Sequence, residues 1–334
     1  MRKPTFREIA TRAGVGTATV ERVLNGRGLV RPGTAAKVIL AARALNTPRH
    51  MPEAHHGIFR IEVLLLKAES DFFRRLSRAF ERVAATLDAT VQIQRSFVDP
   101  DQPQEIARRI LDPKTRRSGL ILALADQPPL CEALRKVEAS GLPMVHVVTR
   151  AGGDTLPLVG IDNIAAGRSA GHFITRMQRR PGPVIAIGDP IYQVHRDRLR
   201  GISGYFQNHP HPEMPFTWIG FGLDKAPRIH AVVCKALEVF PDLAGIYNVG
   251  AANSAVLSAL TQTGRAGDVF FVGHELCSDS MAALKRGHMH IVLDQSPEAQ
   301  ARRAVDWMLF RLGLSGQEPD PSPIRFITYT DQCI

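Results

Sequence analysis

The chain has 334 residues, which is enough for two or three domains of ordinary size. Hydrophobic residues make up 44% and charged residues 22%, a composition that excludes wholesale disorder. No apolar stretch approaches the ~20 residues of a membrane-spanning helix, and no apolar segment follows the charged N-terminus, so we expect neither a membrane partner nor a secretory signal. The four cysteines are far apart and form no Cys-x-x-Cys pair, which predicts reduced thiols and a cytoplasmic protein.

The formal net charge of +10 is concentrated near the N-terminus. Residues 1–60 contain 11 Lys/Arg and 3 Asp/Glu, a net charge of +8, whereas the rest of the chain carries only +2. A small basic module on a nearly neutral body predicts that the module binds a polyanion and that the body has another task. A basic helix on a membrane surface is the alternative, but it would need large apolar residues along one face, and this segment is rich in Ala and Val.

Three short helices are predicted in the basic module. Thr5-Phe6-Arg7-Glu8 fits a capping box, which predicts a first helix from Thr5 that ends before Gly14. Helical spacing predicts a second helix over about 17–24 and a third over about 33–45. In the second helix the residues expected to face outward are Thr17, Ala18, Glu21 and Arg22. Two helices across a glycine-containing turn, backed by a third, allow one helix to enter the major groove of DNA.

The stretch from Ile9 to Gly26, followed by Val30, Thr34 and Lys37-Val38, closely resembles the N-terminal headpiece of the lac repressor (LacI) family of transcription regulators. The resemblance implies that Thr17 and Ala18 contact base edges, where a hydroxyl and methyl groups suit a thymine methyl. It implies a base contact for Arg22 as well, and a contact to phosphate is an equal alternative for that side chain. The other DNA-binding residues that the resemblance implies are Thr5, Thr19, Asn25 and Arg31.

The basic module departs from the family in two places. Gly16 and Glu21 stand where the family has Ser, so we expect the second helix to lack a side-chain N-cap and to bring a carboxylate near the DNA backbone. In the family the next segment folds on DNA and wedges the minor groove. Here Pro52 and Gly57 oppose a regular helix, which predicts a looser linker.

From Phe59 onward, apolar strands alternate with amphipathic helices, the pattern of parallel sheets with crossover helices. The predicted strands are 61–66, 91–96, 119–124, 144–148, 184–188, 216–220, 245–248, 269–273 and 291–294. The predicted helices include 73–87, 104–111, 167–179, 198–209, 226–240, 252–264, 280–287 and 297–312. Sites in such sheets lie beyond the C-terminal ends of the strands, so polar residues at those ends are the candidates for function.

Those strand-end residues resemble the other half of the same family, the type I periplasmic sugar-binding-protein fold, over residues 60–334. The implied fold class is α/β: a three-helix, lac-repressor-type helix-turn-helix headpiece plus a two-lobed α/β sensor domain. The expected division is a DNA-binding domain at 1–46, a linker at 47–59 and a ligand-binding domain at 60–334. The hinge between the lobes is expected near 162–165 and 293–297.

The resemblance assigns ligand-binding residues to both lobes. Ser70, Phe72 and Phe73 match a segment whose aromatic rings stack on a sugar face, although two core aromatics are the alternative. Arg150 and Arg198 match positions that grip sugar hydroxyls. Asp162 belongs to an Asp-Asn-x-x-Gly-type segment, for which a structural role is the alternative.

The resemblance implies three further ligand-binding residues, each at or after the end of a predicted strand of the second lobe. Asn248 and Gln295 offer amides that bridge hydroxyls, and Glu275 stands where the family has an aspartate that accepts from two hydroxyls. Glu275 is one methylene longer, so ligand choice is expected to differ. Two aromatics, two arginines, carboxylates and amides together imply a small sugar or polyol as the effector.

Enzyme chemistry is not predicted. There is no GxSxG, no phosphate-binding GxxxxGK[ST] and no GxGxxG after the first strand, so we expect no catalytic residues and no cofactor. The pairs His209-x-His211 and His288-x-His290 are predicted to be surface residues rather than metal ligands. An intracellular carbohydrate-modifying enzyme with a basic appendage is the alternative from another class.

The predicted function is a transcription regulator, most simply a repressor, whose affinity for its operator depends on the effector. One short recognition helix contacts only a few base pairs. Two such helices related by a two-fold axis contact a pseudo-palindrome, so we expect a homodimer on double-stranded DNA.

Overall fold

The computed structural model describes residues 4–25, 30, 32–45, 58–66, 70–153 and 155–334, and for 32, 33, 36, 40, 43 and 44 it describes the backbone alone. The predictions for Arg31 and for the linker with Pro52 and Gly57 lie outside these residues. Within them, no helix is long and apolar enough to cross a membrane.

The N-terminal module consists of α1 (Phe6–Ala13), α2 (Thr17–Leu24) and α3 (Pro32–Ala44), as predicted. The capping box at Thr5 is present, and Gly14 ends α1 in the left-handed conformation with φ +64°, which glycine adopts without strain. Gly16 is the N-cap of α2 and provides no side-chain hydrogen bond, also as predicted. The three helices enclose a small core of their own, formed by Ile9, Ala10, Ala13, Val20, Leu24, Val38, Ala41 and Ala42.

The first lobe is a five-stranded parallel sheet in the order β2-β1-β3-β4-β5. Its strands are β1 (Phe59–Leu66), β2 (Val91–Val98), β3 (Gly119–Leu122), β4 (Met144–Val147) and β5 (Leu158–Val159), and its helices are α4 (Asp71–Ala84), α5 (Pro103–Leu111) and α6 (Pro128–Ala139). Successive residues of β1 point to opposite faces and join two different apolar clusters, with Val63 and Leu65 in one and Leu64 and Leu66 in the other. Helices therefore cover both faces of the sheet.

The second lobe is a six-stranded sheet in the order β11-β10-β9-β8-β6-β7. Its strands are β6 (Val184–Gly188), β7 (Phe216–Phe221), β8 (Gly245–Asn248), β9 (Phe270–His274), β10 (Ile291–Asp294) and β11 (Ile327–Tyr329), of which only β11 is antiparallel to its neighbour. The helices between them are α7 (Asn163–Met177), α8 (Gln193–Asn208), α9 (Ala226–Val239), α10 (Asn253–Gln262) and α11 (Ser278–Lys285).

The chain passes between the two sheets three times. It leaves the first sheet after β5 to form α7, and it returns after β10 to form α12 (Pro297–Arg311), which packs on α4 and on β3, β4 and β5. It then leads to β11 in the second sheet, and Ile161 in the first connection forms a β-bridge with Ile324 in the third. Three connecting segments of the chain therefore join the two lobes.

Some element predictions were wrong in their bounds or were missing. Helix α7 begins at Asn163 rather than Gly167, because Asp162 caps it by accepting a hydrogen bond from the Ala165 amide at 2.8 Å. Helix α8 begins at Gln193, five residues before the predicted start. Helix α6 and strands β5 and β11 were not predicted from the sequence. Of the histidines predicted to lie at the surface, His290 is half-buried, and its ring stacks on Phe270 with the centroids 4.4 Å apart.

Helices α7 and α8 touch backbone to backbone at two glycines. A Cβ on Gly201 would lie 3.0 Å from the Cα of Gly167, and a Cβ on Gly167 would lie 2.9 Å from the Ile202 amide nitrogen. Neither position can hold a larger residue without moving a helix. This contact fixes where α8 runs, and α8 carries Arg198.

Candidate functional site

A cavity of about 570 Å³ lies between the two lobes, at the C-terminal ends of their strands. The first lobe contributes Leu66, Ser70, Asp71, Phe72, Phe73, Val148 and Thr149. The second lobe and its connections contribute Tyr192, Val194, His195, Arg198, Asp224, Lys225, Ala226, Pro227, Gly250, Ala251, Ala252, Asn253, Ser254, His274, Glu275, Cys277, Asp279 and Gln295. Six of the nine predicted ligand-binding residues therefore line one cavity.

The wall from the first lobe includes two aromatic rings. Phe72 and Phe73 stand at the start of α4 and meet edge to face, with ring centroids 5.2 Å apart and an interplanar angle of 71°. Both rings line the cavity, and Phe73 is the more exposed of the two. An apolar plane beside polar groups suits a molecule that has C–H groups on one face and hydroxyls at its edges.

Arg198 enters the cavity from α8 and is 2% exposed. Its Nε donates to Asn163 Oδ1 at 2.9 Å and its Nη1 donates to the Val249 carbonyl oxygen. The third nitrogen, Nη2, is buried and has no hydrogen-bond partner among the described residues. A fixed guanidinium with one uncommitted nitrogen is a donor available to a ligand.

Glu275 and Gln295 form a second polar group at the ends of β9 and β10. Gln295 Nε2 donates to Glu275 Oε1, while Glu275 Oε2 and Gln295 Oε1 are buried without a partner among the described residues. Burial, together with the neighbouring Asp294, raises the pKa of Glu275 to about 8. The resemblance implied a carboxylate that only accepts; a carboxyl group with this pKa is protonated at neutral pH and also donates.

Three predicted ligand-binding residues do not line the cavity. Asp162 caps α7, and Arg150 donates from Nη2 to the Leu156 carbonyl oxygen at 3.4 Å. Asn248 is 1% exposed, and its amide nitrogen donates to the Ala251 carbonyl oxygen and to Asn253 Oδ1. In this structure Asn253, rather than Asn248, lines the cavity.

Four other polar or aromatic residues that line the cavity were not predicted from the sequence: Tyr192, His195, Asp224 and Asn253. His195 lies one helical turn before Arg198, so residue spacing along α8 could have identified it. Asp224 follows β7, and the rule that sites lie beyond strand ends applied there too. Arg196, which precedes Arg198 on α8, forms a salt bridge with Asp126 at 2.9 Å and does not line the cavity.

Backbone strain is concentrated at the cavity. Among the described residues, the non-glycine residues with positive φ are Val148, Leu223, Asp224, Ala252, Glu275 and Ser296. Four of these line the cavity and the other two are adjacent in sequence to lining residues. Non-glycine residues in this conformation cost free energy, and they cluster where a loop must aim side chains at a ligand.

In the N-terminal module, the outward face of α2 is open to solvent. Thr17, Ala18, Arg22 and Asn25 are exposed, and Thr19 is half-buried. Thr5 is exposed too, but its hydroxyl accepts from the Glu8 amide at 3.3 Å as the N-cap of α1. The side chains predicted to contact bases thus share one accessible surface.

Two family models match the chain. Residues 5–47 match the model described as bacterial regulatory proteins, lacI family, and residues 61–316 match the model described as periplasmic binding protein domain.

Similar proteins include regulators and sugar-binding proteins. The chain is 31% identical over 268 residues to the ribose operon repressor of Halalkalibacterium halodurans, covering 76% of this chain and 73% of that protein. It is 30% identical over 203 residues to the HTH-type transcriptional regulator GntR of Pseudomonas aeruginosa, covering 60% of this chain and 57% of that protein. Among solved structures, GanP, a glucose-galactose binding protein from Geobacillus stearothermophilus, matches with a TM-score of 0.74 at 16% identity, over 83% of this chain and 98% of that one.

The two matched segments correspond to the three-helix module and to the two-lobed body. The chain therefore belongs to the lacI family of bacterial regulatory proteins and joins that family's helix-turn-helix region to a periplasmic-binding-protein-like domain.

Proposed function

We propose that this protein is a cytoplasmic, sequence-specific repressor whose affinity for its operator is controlled by a sugar or polyol bound between the two lobes. The observation that carries the proposal is the cavity between the lobes, with convergent polar groups, in a chain whose N-terminal region is a lacI-type helix-turn-helix module. The proposed division is a DNA-binding domain at 1–46, a linker at 47–59 and a ligand-binding domain at 60–334.

The DNA would be contacted by α2. Thr17, Ala18 and Arg22 would face base edges in the major groove, and Thr5, Thr19, Asn25 and Arg31 would add contacts that position the helix. The exposed face of α2 supports this assignment, as does the excess positive charge of the first 60 residues. A homodimer would place two such helices on a pseudo-palindromic operator.

The effector would be held from both sides. Phe72 and Phe73 would pack on its apolar face, and Arg198, Glu275 and Gln295 would bond its hydroxyls. Binding from two lobes stabilises the closed arrangement, because only the closed cleft offers both sets of contacts at once. Closure would change the spacing or order of the two DNA-binding modules, a coupling typically worth about 1–3 kcal/mol.

A two-part experiment tests the proposal. Thermal shift against monosaccharides, polyols and their phosphates would identify an effector, because a ligand that binds only the folded state raises its melting temperature. A mobility shift with the DNA upstream of its own gene, at moderate salt, would then be repeated with that effector. We expect sequence-specific retention that the effector changes. Absence of any preferred duplex, with and without effector, would refute the proposal.

A further inference from the structure

Arg75, in the first lobe, forms an ion pair with Asp294, the last residue of β10 in the second lobe. Nη1 of Arg75 donates to Asp294 Oδ2, and Nε and Nη2 donate to the two carboxylate oxygens of Glu298 at 3.0 and 2.9 Å. Asp294 is completely buried, whereas Glu298 is exposed at the start of α12. One guanidinium therefore ties α4 to the segment that leads from β10 into α12.

The same ion pair also holds the segment that follows β9. Asp294 Oδ2 accepts from the Leu276 amide at 3.1 Å, and Arg75 Nη1 donates to the Leu276 carbonyl oxygen at 3.5 Å. Asp294 Oδ1 accepts from the Ser296 amide at 2.9 Å. A buried carboxylate is costly unless it is hydrogen-bonded and paired with a cation, so removal of Arg75 would disturb the segments after both strands.

The residues that this ion pair holds are direct sequence neighbours of two residues that offer hydrogen bonds in the cavity. Glu275 precedes Leu276, and Gln295 follows Asp294. Glu275 and Gln295, here called the polar pair, bond to each other, and each has a buried oxygen without a partner among the described residues. Arg75 and Asp294 do not line the cavity themselves. Their effect on a ligand would therefore be indirect.

Arg75 also lies next to the aromatic side of the cavity. It follows Phe73 by two residues and Phe72 by one turn of α4. Leu76, the next residue, is fully buried in the apolar core, so this end of α4 cannot turn or slide freely. The helix that places both rings in the cavity thus also places the cation that holds the polar pair.

We infer that Arg75 is a positioning residue for the effector site. Through Asp294 and the backbone at Leu276, it holds the polar pair of the second lobe at a fixed distance from the aromatic rings of the first lobe. Hydrogen bonds weaken steeply outside their narrow range of length and angle, so a shift on the order of 1 Å in the polar pair would remove its bonds to a ligand. This inference rests on the proposed function, in which the cavity holds a polyhydroxylated effector.

The test measures binding to the full chain by calorimetry, with D-ribose, D-allose, D-galactose and myo-inositol as probes. For a probe that binds the wild type, we expect Arg75→Met to weaken binding about 10-fold or more, because the polar pair loses a charged support. Arg75→Lys keeps a cation near Asp294 and should recover part of this loss. Should Arg75→Met fail to fold, Arg75→Lys carries the test: it should still bind more weakly than the wild type, because an ammonium cannot reproduce the fork of bonds to Asp294 and Glu298.

Two control variants separate positioning from a general loss of stability. Arg82→Met removes an exposed arginine of α4 that also donates to Glu298, at 3.3 Å, and it should leave the affinity unchanged. Arg117→Met breaks another ion pair of the first lobe, in which the side chains of Arg117 and Glu62 are 5% and 12% exposed and do not line the cavity. This variant should lower the melting temperature and leave the affinity unchanged.

Combination with Gln295→Ala shows whether Arg75 acts through the polar pair. In that background the loss caused by Arg75→Met should be clearly smaller than in the wild type, because one member of the pair is already gone. Equal losses in both backgrounds, or unchanged affinity in both Arg75 variants, would overturn the inference while the proposed function stands. An equally large loss of affinity in Arg117→Met would also overturn it. If no probe binds the wild type, the sugar or polyol effector is refuted and the inference with it.

Discussion

Asp126 of the first lobe and Arg196 of the second lobe form a salt bridge beside the cavity, with Nη2 and Oδ2 2.9 Å apart. Arg196 also donates to the Pro190 carbonyl oxygen at 2.8 Å, and the Asp126 amide donates to the Ile191 carbonyl oxygen at 3.2 Å. Burial would raise the pKa of Asp126, but hydrogen bonds from Gly152, Cys131 and Arg196 outweigh it and leave the pKa below its ordinary value. The bridge is therefore charged at neutral pH.

A second salt bridge joins the lobes on another side of the cavity, between Asp101 and Lys225 at 2.8 Å. We predict that D101N/D126N, which removes both, opens the unliganded cleft and increases the radius of gyration measured by small-angle scattering. Each pair is partly exposed and contributes at most about 1 kcal/mol to closure. In 0.5 M salt the screening length falls to about 4 Å, which weakens both pairs, so high salt should also increase the radius of gyration of the wild type. K235Q, which breaks an exposed pair within one helix, is the control. An unchanged radius in the double variant would show that these two salt bridges do not hold the cleft closed.

Arg22→Ala is predicted to weaken operator binding by about 1–3 kcal/mol and to weaken binding to random DNA much less, because a guanidinium that contacts a guanine discriminates between bases. Arg7 is exposed on α1, and Arg7→Ala should weaken both kinds of binding alike. Competition mobility shifts at fixed salt measure the two affinities. Equal weakening by Arg22→Ala would identify Arg22 as a phosphate contact.

Gly16→Ser is predicted to stabilise the N-terminal module by about 0.5–1 kcal/mol, since serine restores a side-chain N-cap and reduces the freedom of the unfolded chain. Gly16 has φ −71° and ψ 151°, and a Cβ there meets no atom within 4 Å. Gly14→Ser is the matched control. Because Gly14 has φ +64°, which a serine adopts only with strain, this substitution should destabilise the module by about 1 kcal/mol. Amide hydrogen exchange of residues 5–25 in the full chain measures the stability of the module in both variants. We expect slower exchange in Gly16→Ser and faster exchange in Gly14→Ser, and slower exchange in both would contradict the prediction.

Arg198→Ala is predicted to abolish the effect of the effector on DNA binding while leaving operator binding without effector intact. The reason is that Arg198 lines the cavity, has one buried nitrogen without a hydrogen-bond partner among the described residues, and lies far along the chain from the DNA-binding module. Arg200→Ala on the same helix removes an exposed side chain and should preserve the response. Mobility shifts with and without effector give both quantities. Loss of both functions in Arg198→Ala would assign Arg198 a role in folding.

Glu275 is predicted to make the wild type less stable as the pH rises from about 5 to about 8. The folded chain holds a proton on Glu275 up to a pKa of about 8, whereas the unfolded chain releases it near 4.5. The folded state therefore binds more protons in this window, and the free energy of unfolding falls by up to a few kcal/mol as the pH rises.

Urea denaturation at several pH values measures this slope. Glu275→Gln cannot titrate, so its free energy of unfolding should fall less over the same window. Glu105→Gln, at an exposed position on α5, should keep the wild-type slope. Identical slopes for the wild type and Glu275→Gln would show that Glu275 is ionised in the folded protein.

Local patterns in the sequence were enough for most of the architecture. The capping box at Thr5, the turn at Gly14 and helical spacing placed α1 and α2 at the positions found in the structure. Strands such as β6 and β10 were predicted from short apolar runs. These signals succeed because capping, turn geometry and the burial of one face depend on residues within a few positions of each other.

What only the tertiary structure decided is which side chains meet in the cavity. Asn248 and Asp162 have the chemistry of ligand-binding residues, yet in the structure both make local hydrogen bonds and neither lines the cavity. His195 and Asp224 are 29 positions apart in the sequence and become neighbours because the loop after β7 adopts positive φ and Gly250 leaves room. Which side chains converge depends on the conformation of loops and on how the two lobes close. Neither of these produces a periodic pattern of residues that could be recognised in the sequence.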